Sequence, residues 1–181
     1  MKICTHDDQC RVLLIEDYPD HATLVEIVIQ QYGKGGFNLC HHPTLSEGIA
    51  CITQRSAGPI DIILLDLNLP DSHGLATLQA VLTVAVDVPV VVMTSLDDES
   101  LAEAAQEAGA QDYVIKSDIL TDRRSLARIM RYSIARNRSK IKSKEQEEKL
   151  ALVEKQLNDS EALRLVREVR EELTNIATRN Y

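Results

Sequence analysis

Ile60-Asp61-Ile62-Ile63-Leu64-Leu65-Asp66, followed by Leu67-Asn68-Leu69-Pro70-Asp71-Ser72-His73-Gly74, decides the fold of this chain. The first seven residues are a near-continuous apolar run that ends on a carboxylate, and they read as a buried strand. The Pro- and Gly-bearing stretch to Gly74 reads as a loop. Residues 75–84 return to a helical pattern.

The same alternation holds on either side. Arg11-Val12-Leu13-Leu14-Ile15 is a second buried strand, closed by Glu16-Asp17. Asp20 to about Tyr32 carries Leu24, Val25, Ile27, Val28 and Ile29 and suits a helix ended by Gly33-Lys34-Gly35-Gly36. Phe37 to His42 is a strand. Thr44-Leu45-Ser46-Glu47 is a capping box, in which Thr44 and Glu47 are expected to satisfy each other's orphan amides at the start of a helix to about Arg55. Val88 to Thr94 is a strand, Asp97 to Ala108 a helix stopped by Gly109, and Asp112-Tyr113-Val114-Ile115 a strand. Strand and helix alternating five times predict an α/β fold, a doubly wound parallel sheet with helices on both faces. Right-handed crossovers leave few topologies for it.

The 181 residues amount to about 1.2 domains by the length prior, which fits one domain and an appendage. Hydrophobic residues at 44% and charged residues at 27% describe a globular chain. No Trp and one Phe argue against stacking platforms for bases or sugars. No apolar run approaches the ~18 residues of a membrane span. The start of the chain lacks the apolar core of a secretory signal. Cys4, Cys10, Cys40 and Cys51 have no CxxC spacing, and a reducing cytoplasm is expected.

Charge divides the chain further. Residues 1–121 hold 5 Lys/Arg against 18 Asp/Glu, net −13; residues 122–144 hold 9 against 1, net +8; residues 145–181 hold 6 against 9, net −3. An acidic body, a basic neck and a mixed tail suggest three parts with different work to do. With the resemblance described below, which covers about residues 10–135, the expected division is an N-terminal extension over 1–9, a globular domain over 10–135 and a helical segment over 136–181. Thr121-Asp122 caps a helix with Leu126, Ile129 and Met130 on one face. From Arg136 to Lys149 only Ile141 is strongly apolar. Heptad steps resume at Leu150, Val153 and Leu157, and again at Val166, Val169, Leu173 and Ile176, with a phase break near Asn158-Asp159-Ser160. One helix from 121 to 179 would be roughly 90 Å long at ~1.5 Å per residue. It must find a partner helix or fray, and the expectation is a parallel homodimer through this coiled coil.

Ligands of parallel sheets sit outside the carboxyl ends of the strands. Those ends deliver Glu16, Asp17, Asp66, Thr94 and Lys116. Singly, each reads as a solvated loop charge; together, at four strand ends, they read as a site. Two carboxylates at ~4 Å repel by about 4 kcal/mol at an effective dielectric of ~20. A divalent cation among them resolves that, and hard oxygen ligands suit Mg2+. Lys116 and Thr94 suit a phosphoryl group, and an Asp can take that group as an acyl phosphate.

These residues resemble the receiver domains of two-component response regulators over about residues 10–135. Glu16-Asp17 is similar to the family's acidic pair, the loop after Leu64-Leu65-Asp66 to its phosphoacceptor loop, Met93-Thr94-Ser95 to its switch Thr, and Tyr113-Val114-Ile115-Lys116 to its aromatic switch residue and phosphate-binding Lys. The resemblance implies a flavodoxin-like sheet of order 2-1-3-4-5, with Asp66 as phosphoacceptor. It also implies Mg2+ held by Glu16, Asp17, Asp66 and the Asn68 backbone carbonyl. The family usually carries Pro after the Lys with a cis bond; here Ser117 follows, and a cis peptide is not expected because it costs ~2.5–4 kcal/mol without Pro. As a strand-end side chain, Lys116 is expected to contribute little to the unphosphorylated fold, on the scale of ~0–1 kcal/mol for exposed ion pairs.

Weaker signals remain. Cys40-His41-His42 is disfavoured as a metal site because neighbours on a strand point to opposite faces. His73 reads as a loop residue near Asp66. The basic neck (Arg123, Arg124, Arg128, Arg131, Arg136, Arg138, Lys140, Lys142 and Lys144) has a basic-zipper layout. A solvated helix pairing with acidic neighbours is the preferred reading, with nucleic acid disfavoured as a partner. Glu171 to Tyr181 is similar to the lead-in of diguanylate cyclase (GGDEF-type) domains, matching at Leu173, Thr174 and Arg179 but not at Asn175 and Thr178. The expected function is that of a cytoplasmic response regulator, with no enzyme activity beyond its own phosphorylation and dephosphorylation. A sensor histidine kinase or phosphotransfer protein supplies Asp66, and the last helix carries the change to a dimer partner or a downstream output domain such as a diguanylate cyclase. The alternatives are a Mg2+-dependent phosphohydrolase with an Asp nucleophile, disfavoured because Asn68 stands where an acid/base Asp is needed, and a basic-helix DNA-binding dimer.

Overall fold

A computed structural model of the chain describes residues 9–54, 58–95 and 99–179. The order is β1 (Cys10–Ile15), α1 (Pro19–Tyr32), β2 (Phe37–His42), α2 (Leu45–Gln54), β3 (Ile62–Asp66), β4 (Asn68–Leu69), β5 (Ser72–His73), α3 (Leu75–Val84), β6 (Val90–Thr94), α4 (Glu99–Glu107), β7 (Asp112–Ile115), α5 (Lys116–Thr121) and α6 (Arg123–Arg179). The five long strands form one parallel sheet in the order β2-β1-β3-β6-β7. This is the flavodoxin-like order expected from the sequence.

Both faces of the sheet are covered, which is why its strands are apolar without alternation. Val12, Leu14, Ile62, Leu64, Val91, Met93 and Val114 pack against Val25, Val28 and Ile29 of α1 and Leu126, Met130 and Ile134 of α6. Leu13, Ile15, Ile63, Leu65, Val90 and Val92 face the other way, toward α2, α3 and α4. On that second face α2 comes unusually close to β1. A Cβ placed on Gly48 would stand 2.3 Å from Ile15 Cδ1, so any larger residue would force the Ile15 side chain to shift.

Several elements differ from their sequence reading. The stretch after Asp66 is a two-stranded hairpin, β4 and β5, rather than a plain loop. Its end is held by Gly74, whose φ of 64° is a left-handed value that side chains disfavour and whose N–H donates to Leu67 O at 2.8 Å. Only half of the expected capping box forms. Thr44 Oγ1 accepts from Glu47 N at 3.2 Å, but the Glu47 carboxylate turns to His42 Nδ1 at 3.5 Å. Asp71 supplies the missing cap from the hairpin, accepting from Leu45 N and Ser46 N, both at 2.9 Å, and from Ser46 Oγ at 2.7 Å. That chelation of amide and hydroxyl donors by Asp71 holds its carboxyl below the usual carboxylate range.

Lys116-Ser117 opens the short helix α5, and every described peptide bond is trans. Asp122 then caps α6, with Oδ1 accepting from Arg124 N at 3.1 Å. The basic neck is engaged where it leaves the sheet. Arg124 lies 5.9 Å over the Tyr32 ring, Arg131 donates to Tyr32 O, and Arg138 pairs with Asp61 at 2.7 Å. The chain divides between Arg138 and Ser139 into two units. The second is helical through Arg179, and it leaves Leu150, Leu152, Val153, Leu165 and Val169 at least half exposed. The other seam residues read from the sequence, Leu157, Val166, Leu173 and Ile176, lie outside the residues whose side chains are described. Among the described residues no helix is long and apolar enough to cross a membrane.

Candidate functional site

Strand parity gathers the site. Leu14, Leu64 and Val114 all face α1 and α6. Two residues further along each chain path stand Glu16, Asp66 and Lys116, which the period of two sends toward that same face at the carboxyl edge of the sheet. There they meet. Lys116 Nζ lies 2.7 Å from Asp66 Oδ2 and 2.7 Å from Glu16 Oε2. Glu16 is fully buried, Asp66 and Lys116 nearly so. The carboxylate oxygens of Glu16, Asp17 and Asp66 lie within 4.8 Å of one another, with Asp17 exposed at the mouth.

Each carboxylate has a partly completed shell. Asp66 Oδ1 accepts from Asn68 N at 3.1 Å, which ties Asp66 to the hairpin. Glu16 Oε1 accepts from Tyr18 N at 3.3 Å. Glu16 Oε2 is different: its contact with Lys116 is an ion pair without hydrogen-bond geometry, and the oxygen accepts no hydrogen bond. A buried carboxylate oxygen in that state is costly. Three carboxylates against one ammonium leave a net charge of −2 among hard oxygen donors. Both facts fit a divalent cation of the Mg2+ class.

The remaining residues read from the sequence occupy the adjoining strand ends. Thr94, almost fully buried, ends β6 beside β3 and pairs in register with Ile115 of β7. Tyr113 is half-buried and packs with the cluster on the α2, α3 and α4 side. Asn68 pairs with His73 across the hairpin. Lys116 corrects one expectation. It is a buried ammonium between two carboxylates rather than an exposed strand-end charge.

Sequence reasoning missed His21. Its Nδ1 lies 3.2 Å from both Glu16 Oε1 and Lys116 Nζ. As a lone pair it accepts from Lys116; as an N–H it donates to Glu16; it cannot do both at once. The available signal was positional: Pro19 starts α1, so His21 falls in the first turn, directly over the strand end that carries Glu16. A second omission is the Cys40, His42 and Cys51 group, whose ligand atoms also lie within 4.8 Å of one another. The disfavoured tripeptide 40–42 hid it, because residues i and i+2 do share a strand face.

The fold and this site define a doubly wound parallel-sheet domain with a buried acidic cluster and a lysine at the carboxyl edge of its strands. The chain belongs to the response regulator receiver domain family, whose model matches residues 12–131. It is 30% identical over 132 residues to the transcriptional regulatory protein AruR of Pseudomonas aeruginosa, covering 69% of this chain and 52% of that protein. It is 31% identical over 109 residues to the cell cycle transcriptional regulator CtrA of Caulobacter vibrioides, covering 59% of this chain and 43% of that one. The chain thus spans about half the length of the curated relatives it matches. Among solved structures, the CheY-like receiver domain protein from Methanospirillum hungatei JF-1 shares the fold with a TM-score of 0.59 at 19% identity, over 73% of this chain and 98% of that one. The Mn2+-bound form of the response regulator Rcp1 aligns with a TM-score of 0.54 at 26% identity, over 65% of this chain and 88% of that one.

Proposed function

We propose that Asp66 is the phosphoacceptor of a two-component response regulator, receiving its phosphoryl group from a sensor histidine kinase or a phosphotransfer protein. The observation that carries this reading is the buried Lys116 ammonium against Asp66, beside the unsatisfied Glu16 oxygen. A carboxylate oxygen of Asp66 forms a P–O bond as the P–N bond of a phosphohistidine breaks, and the imidazole departs with the electron pair. Lys116, already in contact with Asp66, follows the charge onto the phosphoryl oxygens. Glu16, Asp17, Asp66 and the Asn68 carbonyl would hold Mg2+, which when bound neutralises charge on the transferred group.

Thr94 and Tyr113 are the switch residues in this reading. Their strands adjoin, so a shift at Thr94 is felt on the face made by α4 and β7. The change passes along α6 to a parallel dimer partner, or to an output domain. The tail's exposed Leu150, Val153 and Val169 support pairing. The Arg124, Arg131 and Arg138 contacts argue that part of the basic neck serves the fold rather than nucleic acid. The expected setting is the cytoplasm, and the expected chemistry is confined to the protein's own phosphorylation and dephosphorylation.

Incubation with acetyl phosphate and Mg2+, read by intact mass, tests this. One phosphoryl group should add to the parent and none to Asp66→Asn. Equal labelling of the variant would remove Asp66 from the role. Steady turnover of p-nitrophenyl phosphate would instead favour a phosphohydrolase.

A further inference from the structure

Away from the carboxyl cluster, β2 and α2 bring together a second set of donors. Cys40 and His42 lie two residues apart on β2 and so share one face, and Cys51 approaches from α2. Cys40 Sγ is 3.5 Å from His42 Nε2, and the three ligand atoms lie within 4.8 Å of one another. Tetrahedral zinc, with Zn–S of about 2.3 Å and Zn–N of about 2.0–2.1 Å, sets sulfur and nitrogen roughly 3.6 Å apart and two sulfurs roughly 3.8 Å apart. The Cys40–His42 gap is already one edge of that tetrahedron.

A second, independent feature is the far side of the imidazole. His42 Nδ1 lies 3.5 Å from Glu47 Oε2, an ion-pair distance that puts a carboxylate behind the imidazole, on the side away from Cys40; carboxylates so placed orient metal-bound histidines. Arg11 lies 3.8 Å from Cys51 Sγ and favours thiolate there. Against it, burial and the neighbouring Cys40 raise the Cys51 thiol. Cys40 and Cys51 are thiols rather than a disulfide, and all three ligand residues are half-buried. A pair of ordinary core-edge cysteines would account for neither the histidine at coordination distance nor the carboxylate behind it.

We propose that Cys40, His42 and Cys51 bind Zn2+ through two thiolates and one imidazole, leaving the fourth position to water. Binding displaces the two thiol protons to solvent and leaves His42 Nδ1–H directed at Glu47. Two sulfurs and a nitrogen select a softer ion than the oxygen ligands of Glu16, Asp17 and Asp66, so the two sites do not compete for one metal. They are nevertheless neighbours through the backbone, since Glu16 N donates to the carbonyl of His42 at 3.1 Å. A metal on His42 would stiffen the strand end that carries this bond.

The test uses the full chain, reduced with a phosphine, with Co2+ as the spectroscopic probe and Zn2+ as competitor. One equivalent of Co2+ should produce a thiolate-to-metal charge-transfer band that Zn2+ abolishes. Cys51→Ser and His42→Gln should lose that band while keeping parental circular dichroism. Glu47→Gln should keep it but bind Zn2+ about 10- to 100-fold more weakly, as expected for the loss of an orienting carboxylate. Asp66→Asn should be indistinguishable from the parent. Absence of the band in the parent, its persistence in Cys51→Ser, or its loss in Asp66→Asn overturns the proposal. Should Cys51→Ser fail to fold, alkylation of the parent decides. Zn2+ should protect Cys40 and Cys51 from iodoacetamide, and equal labelling with and without Zn2+ rejects the site.

Discussion

Lys116 Nζ stands 2.7 Å from Glu16 Oε2, yet that oxygen accepts no hydrogen bond. The ammonium is aligned on Asp66 Oδ2, and Glu16 receives its charge but not its proton. The site is therefore neutralised in part and left with an unused acceptor, buried at the end of β1. This state suits a pocket whose electrostatics are completed by something it binds.

Lys116→Ala should cost stability as well as signalling. Deleting one partner of a buried ion pair leaves uncompensated charge, a loss of roughly 3–5 kcal/mol. Here Glu16 and Asp66 would face each other across the gap. Mg2+ should return part of the loss, since a ligand that binds only the folded state stabilises it. Urea denaturation with and without Mg2+ checks both parts. A variant as stable as the parent in Mg2+-free buffer contradicts the burial argument.

Asp71→Ala removes the cap that the hairpin lends to α2. Cap deletions cost about 0.5–2 kcal/mol, and the exposed position of Asp71 puts the expectation near ~1 kcal/mol. The pH dependence has a definite sign. The folded carboxyl is depressed, so its contribution is complete above the ordinary carboxylate value and declines as pH falls through the folded one. Asp71→Asn, which keeps an acceptor but not the charge, should flatten that part of the acid limb. Superimposable acid-unfolding curves for parent and Asp71→Asn would rule this out.

Gly48→Ala sets two effects against each other. Helix propensity favours alanine by about 1 kcal/mol in a helix interior. The new methyl would meet Ile15 Cδ1 at 2.3 Å and Cγ1 at 2.8 Å, so the fully buried Ile15 side chain must shift within a packed core. Overpacking of this kind costs about 1–3 kcal/mol. The net expectation is a lower melting temperature by calorimetry, and a gain would show that α2 can retreat from β1.

A chain ending at Asn137 should be monomeric, or a far weaker dimer, by light scattering. It keeps Leu126, Met130 and Ile134, which complete the core, and loses the exposed Leu150, Val153 and Val169. In a parallel pair the basic residues from Arg136 to Lys149 oppose their own copies, so the dimer of the 181-residue chain should tighten as salt screens them over the ~8 Å Debye length. Equal dimerisation of the two chains would transfer the interface to the globular unit.

Sequence period determined more of the site than sequence proximity did. Runs such as Val12 to Ile15 and Ile62 to Leu65 mark strands covered on both faces, and their ends name Glu16, Asp66, Thr94 and Lys116. A parallel sheet aligns strand ends by construction, so residues 50 or 100 positions apart in the sequence meet at one edge. Right-handed crossovers left few topologies, and the β2-β1-β3-β6-β7 order is the one the family resemblance implies.

Only the tertiary structure decided which of these side chains are buried and what stands beside them. Lys116 is enclosed at the end of β1, where α1 also brings His21 into contact with both Lys116 and Glu16. Asp71 takes over the cap of α2 because the hairpin folds back across it, a contact spanning 26 residues. Cys51 meets Cys40 and His42 because glycine at 48 lets α2 settle onto β1. Each of these depends on the distance and angle between packed layers. Periodicity tells which way a residue faces along its own element, but the approach of two elements is set by the side chains filling the space between them.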